Sequence, residues 1–440
     1  TYFLVGGSTA GILSAVSGCT RRGGRVLAAR NCHRSVYHAI ELGNLKAKYL
    51  YPQQISSLGI NGAICPEDVE KMLEEERRTG GEDGPVQAVI ITSPTYDGVC
   101  SDVKTIAEIC HRYGIPLIVD QAHGAHFPFS DYFPEDALSA GADVVIHSVH
   151  KTLPALTQTA LLHIQGKLAD RERIRHYLSV YQSSSPSYVL MASIDACTDL
   201  LERKSGELFA EHVRLLSAFR ESCRDLKILY LAGDDMAAET PADGACDFDR
   251  SKLLVSARRA GLSGSRLSGF LLERWHLQME MSGPDYVVGI ASIADTKEGF
   301  DRLSAALHEL DCELAERPDP ADSRDAGENG GLAGRPQPGF GCPSGHKGAF
   351  EYEEAAELPR LPAPLTAGEA EERKREVCPV SDCTGRLAAD YIYLYPPGIP
   401  LIVPGEEITA GAVRRIRQWQ KAGFAVHGLA AGDGMPVLRI

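Results

Sequence analysis

Short apolar runs alternate with segments of helical spacing between residues 1 and 165. Each apolar run ends at Gly, Pro, Asp or a polar turn residue, and the runs are Tyr2–Val5, Arg25–Ala28, Ala47–Leu50, Ala88–Thr92, Leu117–Asp120, Val144–Ser148 and Ala160–Ile164. Helical patterns such as Pro66–Arg77 and Val103–Tyr113 lie between them. This alternation predicts parallel strands joined by crossover helices.

Polar clusters follow four of the predicted strands. They are Gly6–Thr9, Thr95–Asp97, Asp120–His123 and Ser148–Lys151. In an open parallel sheet, ligands bind beyond the carboxyl ends of the strands. We therefore expect the four clusters to converge on one edge of the sheet and to form a binding site there.

The rest of the chain predicts helices, then a second, smaller unit. Helical patterns from residue 166 are interrupted by the loop Ser183–Tyr188, and strand-like runs follow at Lys252–Ser256, His276–Met281 and Tyr286–Ser292. A stretch rich in Pro, Gly, Asp and Glu is typical of a linker. We divide the chain into a large cofactor-binding domain at 1–230, a small α/β domain at 231–315, a linker at 316–362 and a C-terminal domain at 363–440.

Composition narrows the classes of partner. The 440 residues carry a net charge of −14, which disfavours nucleic acid and anionic membranes. No apolar run approaches the ~20 residues needed to cross a bilayer. The 12 cysteines show no paired spacing, so we interpret them as reduced thiols of a cytoplasmic protein. Cys378 and Cys383 have no second Cys or His pair nearby, and we predict no metal site.

Lys151 and Asp120 carry the strongest chemical signal. Asp120 ends the apolar run Pro116–Asp120, and Lys151 follows it about thirty residues later, within Ser148–Thr152. A lysine amine can form a Schiff base, and an aspartate at a strand end can keep the pyridine nitrogen of pyridoxal phosphate (PLP) protonated. The order and spacing of the two residues predict a PLP site.

A phosphate site is predicted beside them. Gly6–Ala10 joins a strand to a helix and offers backbone N–H groups and hydroxyls at the helix N-terminus, although it matches neither a Rossmann fingerprint nor a Walker A loop. Ser148 and His150 flank the lysine and can reach the same phosphate if strand alternation continues through them. His33 follows the second strand and can lie flat against an aromatic ring.

Taken together, these motifs resemble the PLP-dependent Orn/Lys/Arg decarboxylase family, which has the type I, aspartate-aminotransferase fold. The blocks that carry the resemblance are Gly6–Thr9, Arg30–Ser35, Ser93–Gly98, Asp120–Phe127, Ser148–Thr152, Ser184–Tyr188, Tyr395–Pro400 and Pro404–Glu406. The resemblance implies an α/β fold with a mainly parallel large-domain sheet and smaller α/β C-terminal domains.

The resemblance also implies roles for individual residues. Lys151 forms the internal aldimine, Asp120 pairs with the pyridinium nitrogen, and His33 stacks on the ring. Phosphate contacts fall to Ser8, Thr9, Ser148 and His150, while His123 lies beside the cofactor, and the loop Ser184–Ser187, with Ser185 among the binding residues, reaches the site of the partner subunit in a homodimer.

The implied reaction is decarboxylation of lysine, arginine or ornithine to the corresponding amine, through an external aldimine and a quinonoid. Lys151, His150 and His123 are candidates for the proton donor. Glu280 is a candidate for binding the cationic tail of the substrate. Two other interpretations stay open: an aminotransferase or lyase of the same fold, and a shortened or inactive paralogue that binds PLP or a partner without turnover.

Two features depart from the family pattern. Gly6–Gly7 stands where the family has a polar residue, which removes one potential phosphate hydroxyl. The chain also starts within a strand, at Thr1–Val5, so we expect an upstream segment that resembles a dimer-embracing arm to be lacking. Activity of the chain without that segment is therefore a question for experiment.

Overall fold

A computed structural model describes residues 1–79, 84–233, 247–316, 358–431 and 433–439. The helices are α1 Gly7–Cys19, α2 Arg34–Leu42, α3 Pro66–Thr79, α4 Val103–Arg112, α5 Val149–Thr152, α6 Arg171–Tyr181, α7 Tyr188–Ser222, α8 Gly264–Trp275, α9 Lys297–Ala315, α10 Ala367–Glu371 and α11 Ala410–Lys421. Within those described ranges, none of the helices has the length and apolar character needed to span a membrane.

The strands belong to one large sheet and several smaller ones. They are β1 Tyr2–Leu4, β2 Arg25–Ala29, β3 Lys46–Leu50, β4 Gln54–Ile55, β5 Ile60–Asn61, β6 Val86–Thr92, β7 Val99–Cys100, β8 Leu117–Asp120, β9 Val144–Ser148, β10 Ala160–Ile164, β11 Tyr230–Leu231, β12 Asp247–Phe248, β13 Lys252–Ser256, β14 Met281–Ser282, β15 Tyr286–Ile290, β16 Arg375–Pro379, β17 Ile392–Leu394, β18 Pro400–Ile402, β19 Val426–His427 and β20 Gly434–Leu438.

The large sheet has seven strands in the order β1-β10-β9-β8-β6-β2-β3. Strands β3, β2, β6, β8 and β9 are parallel, as the alternating pattern predicts. Strand β10 runs antiparallel to both of its neighbours, β9 and β1, so it alone is reversed and β1 has the direction of the other five strands. The sheet is therefore mainly parallel. The connection from β9 to β10 is too short for a full crossover unit, so the chain turns back beside β9.

Helix α1 packs closely against helix α6 beside this sheet. At Gly18 an added Cβ would lie 2.4 Å from Cγ1 of Ile174, so only glycine permits this approach. Ile174 is fully buried and belongs to the large-domain core. The packing fixes α1, and with it the strand-to-helix turn at Gly6–Ser8 that faces the predicted site.

A second core lies around the four-stranded sheet β11-β13-β15-β14. The long helix α7 packs against it through Phe209, Leu216 and Phe219, so α7 joins the large domain to the small one. The expected strand at His276–Met281 is wrong for most of its length. Helix α8 ends at Trp275, the left-handed His276 follows it, and pairing with β15 starts only at β14.

The C-terminal unit is attached to the large domain by a buried arginine. Arg30, at the end of β2, has no exposed surface and donates to the backbone oxygens of Pro400 and Leu401 at 2.6 and 3.0 Å. Its guanidinium also lies 3.4 Å from the Glu406 carboxylate. The predicted boundaries at 230, 315 and 362 stay a prediction, and most of the expected linker lies outside the described residues.

Candidate active site

A cavity of about 130 Å³, called the site cavity here, opens at the carboxyl edge of the large sheet. It is lined by Ser8, Asn31, His33, Thr92, Tyr96, Asp120, Ala122, His123, Lys151, Glu280, Tyr395, Pro397 and Ile399. All four predicted polar clusters contribute to this lining: Gly6–Thr9 through Ser8, Asp120–His123 through Asp120 and His123, Ser148–Lys151 through Lys151, and Thr95–Asp97 through Tyr96. The expected convergence therefore occurs, because parallel strands end at the same edge.

Lys151 extends into the site cavity from α5, a single helical turn directly after β9. Its Nζ lies 2.9 Å from Nε2 of His123. Burial lowers the pKa of the Lys151 amine, while the nearby carboxylates of Asp120 and Glu280 act in the opposite direction. A lysine held in this way is suited to act as a nucleophile, which requires a neutral amine.

His150 does not line the site cavity. The predicted alternation of side chains ends at Ser148, because Val149–Thr152 form a helical turn rather than further strand. The His150 ring turns towards the next connection, where Nδ1 lies 2.7 Å from the backbone oxygen of Thr159. The prediction that residues 148 and 150 lie on one side of a continuing strand is therefore wrong, because the strand ends at Ser148.

Asp120 ends β8 and is almost fully buried. The backbone N–H of Ala122 donates to its Oδ1 at 3.2 Å. Burial raises the pKa of the Asp120 carboxyl, and the positive charge of Lys151 acts against that rise. A carboxylate in this environment is stabilised by a cationic partner and would bind a protonated ring nitrogen.

Ser8 and Ser148 form the predicted hydroxyl pair at the start of α1. The Ser148 hydroxyl donates to Ser8 Oγ at 3.0 Å, joining the β9 end to the helix N-terminus. Gly7 has a φ of +73°, a conformation that favours glycine and turns the chain into the helix. Thr9 follows in the first turn but is exposed and does not line the site cavity.

His33 forms one wall of the site cavity. It precedes α2, and its Nδ1 accepts from the backbone N–H of Ser35 at 3.3 Å. Burial, followed by the charge of Lys151, lowers the pKa of His33 to about 4. The imidazole is therefore neutral near pH 7 and presents a flat, uncharged face to the cavity.

Residues 1–240 match the family model described as "Orn/Lys/Arg decarboxylase, major domain", and residues 352–428 match "Orn/Lys/Arg decarboxylase, C-terminal domain". The chain belongs to the Orn/Lys/Arg decarboxylase family. This membership confirms the resemblance, and the chain is a PLP-dependent carboxy-lyase of this type.

Named relatives agree with the family assignment. This Orn/Lys/Arg decarboxylase chain is 30% identical over 428 residues to the arginine decarboxylase of Bacillus anthracis, covering 97% of this chain and 79% of that protein. It is 26% identical over 513 residues to the lysine decarboxylase LdcA of Pseudomonas aeruginosa, with coverage of 99% and 68%. The decarboxylation of a basic amino acid is supported by both.

Solved structures confirm the fold. The lysine decarboxylase LdcF of Francisella novicida superposes with a TM-score of 0.78 at 20% identity, covering 99% of this chain and 69% of that chain. The ureidoglycine-glyoxylate aminotransferase of Bacillus subtilis gives 0.52 at 15% identity, with coverage of 72% and 81%. The family therefore has the type I fold that the sequence predicts.

The site cavity fits the cofactor that the Orn/Lys/Arg decarboxylase family implies. A lysine amine, a buried carboxylate and the Ser8 hydroxyl at a helix N-terminus line one space, and the buried Ser148 hydroxyl donates to Ser8. These groups match the aldehyde, ring nitrogen and phosphate of PLP. Asn31 lines the cavity, and its buried Oδ1 has no hydrogen-bond partner among the described residues. A ligand with polar groups would satisfy it.

Several lining residues were not assigned a role from the sequence. Tyr395, Pro397 and Ile399 come from the C-terminal unit, more than one hundred positions from Glu280 and more than two hundred from the other lining residues. The Tyr96 hydroxyl donates to Glu280 Oε1 at 2.6 Å and links the large domain to the small one. Tyr96 and the residues of Tyr395–Pro400 lie inside motifs that carry the family resemblance, whereas Glu280 lies outside them. Only the folded chain brings these residues to one cavity.

Ser185 lies outside the site cavity of its own chain. The loop Ser183–Ser187 precedes α7 and is held by a local bond in which Ser183 Oγ donates to the backbone oxygen of Ser185 at 3.2 Å. The start of α7 is strongly exposed, with Tyr188 at 80% and Val189 at 67%. The predicted contribution of Ser185 to cofactor binding stays a prediction, one that depends on a partner subunit.

Proposed function

We propose that this Orn/Lys/Arg decarboxylase converts arginine to agmatine with PLP bound covalently to Lys151. The observation that carries the proposal is the placement of Lys151 opposite buried Asp120 in the site cavity. The bound cofactor supplies an electron sink for the pair released when the α-carboxylate leaves as carbon dioxide. Each protein residue then has a task in binding, orientation or proton transfer.

Asp120 would keep the ring nitrogen protonated, and His33 would lie against the ring face. Ser8 and Ser148 would bind the phosphate with the backbone N–H groups at the start of α1. For the proton returned to the α-carbon, the geometry favours Lys151 Nζ and His123 over His150, because His150 does not line the cavity. This leaves two candidates for the proton donor.

Arginine is proposed over lysine and ornithine because of the space beyond Glu280. A second cavity of about 400 Å³, the outer cavity, shares Glu280 and Tyr395 with the site cavity. The Glu280 carboxylate stands where the two spaces meet, so a long cationic tail can reach it. A guanidinium presents two parallel N–H groups to a carboxylate. The Bacillus relatives named arginine decarboxylase point to the same substrate.

The deciding experiment is product analysis by mass spectrometry after incubation of the purified chain with PLP and, separately, arginine, lysine and ornithine. We expect agmatine, with Lys151→Ala inactive and the exposed Lys104→Ala as active as the unsubstituted protein. Cadaverine or putrescine as the main product would overturn the arginine assignment but keep the reaction. Cofactor binding without any amine would support the inactive-paralogue interpretation.

We also propose a homodimer in which the Ser183–Ser187 loop lies near the partner's site. Its support is the exposed apolar start of α7 beside that loop. Light scattering should give twice the chain mass, and Val189→Asp should produce monomers. A monomeric protein with full activity would exclude this arrangement.

A further inference from the structure

Behind the site cavity, three basic side chains form a continuous hydrogen-bonded row. Lys151 Nζ lies 2.9 Å from Nε2 of His123, and Nδ1 of the same ring lies 2.9 Å from Nζ of Lys252. Lys252 is the first residue of β13 in the small domain and has no exposed surface. We call this set the lysine–histidine row.

The row constrains where protons can be. A neutral imidazole has one N–H and one acceptor nitrogen, whereas an ammonium group can only donate. Both bonds of His123 can therefore form only if at least one of the two lysines is a neutral amine, because the ring N–H needs an acceptor; the other lysine, as an ammonium, can then donate to the second ring nitrogen. Burial and the two neighbouring lysines lower the pKa of His123 far below its usual range, which keeps the ring neutral.

Contacts on two sides hold the Lys252 side chain in place. This side chain crosses Gly98, where an added Cβ would lie 2.8 Å from Lys252 Cγ, and Gly98 has a φ of +109°. The Tyr96 ring centre lies 5.8 Å from Lys252 Nζ on another side. Because Lys252 packs between the Gly98 backbone and the Tyr96 ring, its amine stays within hydrogen-bond distance of His123.

Carboxylates around the row favour the protonated forms of its two lysines. Asp249, Glu280 and Asp97 raise the pKa of Lys252, while Asp120 and Glu280 raise that of Lys151. The other titratable groups facing the row are His126, which lies 3.1 Å from Asp249; Tyr286, which donates to Asp97 at 2.9 Å; and Tyr96, His33 and His150. Burial lowers the pKa of Lys252 to about 8, so this amine can lose its proton near neutrality.

We propose that Lys252 is a positioning residue that acts through His123 to keep the Lys151 amine unprotonated and to accept the proton that Lys151 gives up. The transfer is balanced. A proton leaves Lys151 Nζ for Nε2, the Nδ1 proton passes to Lys252 Nζ, and the imidazole changes tautomer without a change in total charge. The inference rests on the proposed role of Lys151 as the residue that binds the cofactor.

The test measures the Lys151 amine in the cofactor-free protein, by its rate of acetylation with acetic anhydride at a series of pH values and mass spectrometry of the labelled peptide. In Lys252→Met, Lys151 becomes the only donor to His123, so its apparent pKa rises by about one unit and its labelling near pH 8 falls about tenfold. Exposed Lys104 serves as the internal reference and keeps its profile.

Lys252→Arg gives the opposite result for Lys151. An arginine stays charged and can only donate to Nδ1, so His123 must donate through Nε2 to a neutral Lys151. Labelling of Lys151 then stays as fast as in the unsubstituted protein or becomes faster, although the proton can no longer pass along the row. A purely structural role of Lys252 would not separate the two variants in this way.

Either of two results would overturn the proposal. One is an unchanged Lys151 profile in folded Lys252→Met. The other needs no variant: Lys151 of the unsubstituted protein must titrate in two coupled steps, and a single simple step would show that the row does not link the amines. Amine production by Lys151→Ala would instead refute the cofactor role of Lys151 and leave the labelling results standing.

Discussion

At the scale of single residues, the proposed chemistry depends on the carboxylate of Asp120, which is buried and receives few hydrogen bonds from the protein. Asp120 receives one backbone hydrogen bond, from Ala122, and lies near Lys151. Its charge is then stabilised mainly by neighbouring cations, and a protonated ring nitrogen would be one of them. The residue is placed to hold a charge on the cofactor rather than to stabilise the strand.

Replacement of Asp120 by asparagine should therefore damage turnover more than folding. We expect kcat to fall by about 10²–10³-fold, the usual cost of losing one stabilising group at a reacting centre. Steady-state kinetics with saturating PLP measures this, and exposed Asp131→Asn is the matched control. Equal kcat values for the two variants would contradict the assignment of Asp120.

Glu280 should affect binding of the substrate tail. In Glu280→Gln the carboxylate charge is lost while the Tyr96 hydroxyl keeps an oxygen acceptor. We expect KM for arginine to rise about threefold to fivefold with little change in kcat, since Glu280 is exposed and a charge pair at an exposed position contributes up to about 1 kcal/mol. The exposed Glu273→Gln variant should match the unsubstituted protein, and a change confined to kcat would argue against tail binding.

At the scale of secondary structure elements, one buried carboxylate joins the helices of the small domain to its sheet. Asp311 of α9 accepts three backbone N–H groups, from Lys227, Ile228 and Leu229, at 2.7 to 2.9 Å. These residues lead from α7 into β11. The carboxylate therefore fixes the path by which the chain enters the small sheet.

Asp311→Ala is expected to lower the free energy of unfolding by about 3 kcal/mol, because three buried donors lose a charged acceptor. Urea unfolding followed by circular dichroism measures the change. Asp301→Ala removes only an exposed pair with Lys297 and should cost less than about 0.5 kcal/mol. Similar losses in the two variants would show that the Asp311 contacts contribute little.

The strands of the large sheet could be predicted because their apolar runs are short, continuous and buried on both faces. Val144–Ser148 and Leu117–Asp120 have the expected bounds. The helical turn at Val149–Thr152 could not be predicted, since four residues carry no periodicity. The prediction of a strand at His276–Met281 is wrong for most of this run because Leu277 and Met279 pack into the second core, and pairing of β14 with β15 starts only at Met281.

At the scale of the whole molecule, several buried histidines are held neutral by the fold. Burial is the main cause that lowers the pKa of His33 and His212 to about 4, and that of His123 well below its usual range. In the unfolded chain each ring takes up a proton near pH 6.5. The unfolded state therefore binds more protons between pH 6.5 and 4, and stability falls as the pH falls through that window.

His212→Phe should reduce this acid sensitivity. Its ring nitrogens have no hydrogen-bond partner among the described residues, and the ring stacks on Phe133, so phenylalanine suits the position. We expect the loss of unfolding free energy between pH 7 and pH 4 to shrink by about 3 kcal/mol. Urea unfolding of the cofactor-free protein at both pH values measures it, and an unchanged difference would contradict the neutral-histidine account.

The candidate site could be predicted as far as the large sheet reaches. Lys151, Asp120, His123 and Ser8 lie where strand ends converge, and this follows from topology alone. Tyr395 and Lys252 come from other units, and their approach depends on tertiary packing that no local pattern encodes. For Lys252 the one available signal was a lysine inside a buried strand, where an ionisable residue needs a partner.

Arg30 has a consequence for exchange of parts between related enzymes. Arg30 binds the C-terminal unit mainly through the backbone oxygens of Pro400 and Leu401. A backbone oxygen is present whatever amino acid stands at these positions. The contact with Arg30 therefore depends on the course of the main chain, while the side chains of Leu401 and Ile402 are constrained separately by their burial in the core of the C-terminal unit. Chimaeras that take about their last eighty residues from a distant relative should assemble when loop lengths match. One residue inserted between 398 and 402 would instead move the two backbone oxygens away from the buried Arg30 guanidinium.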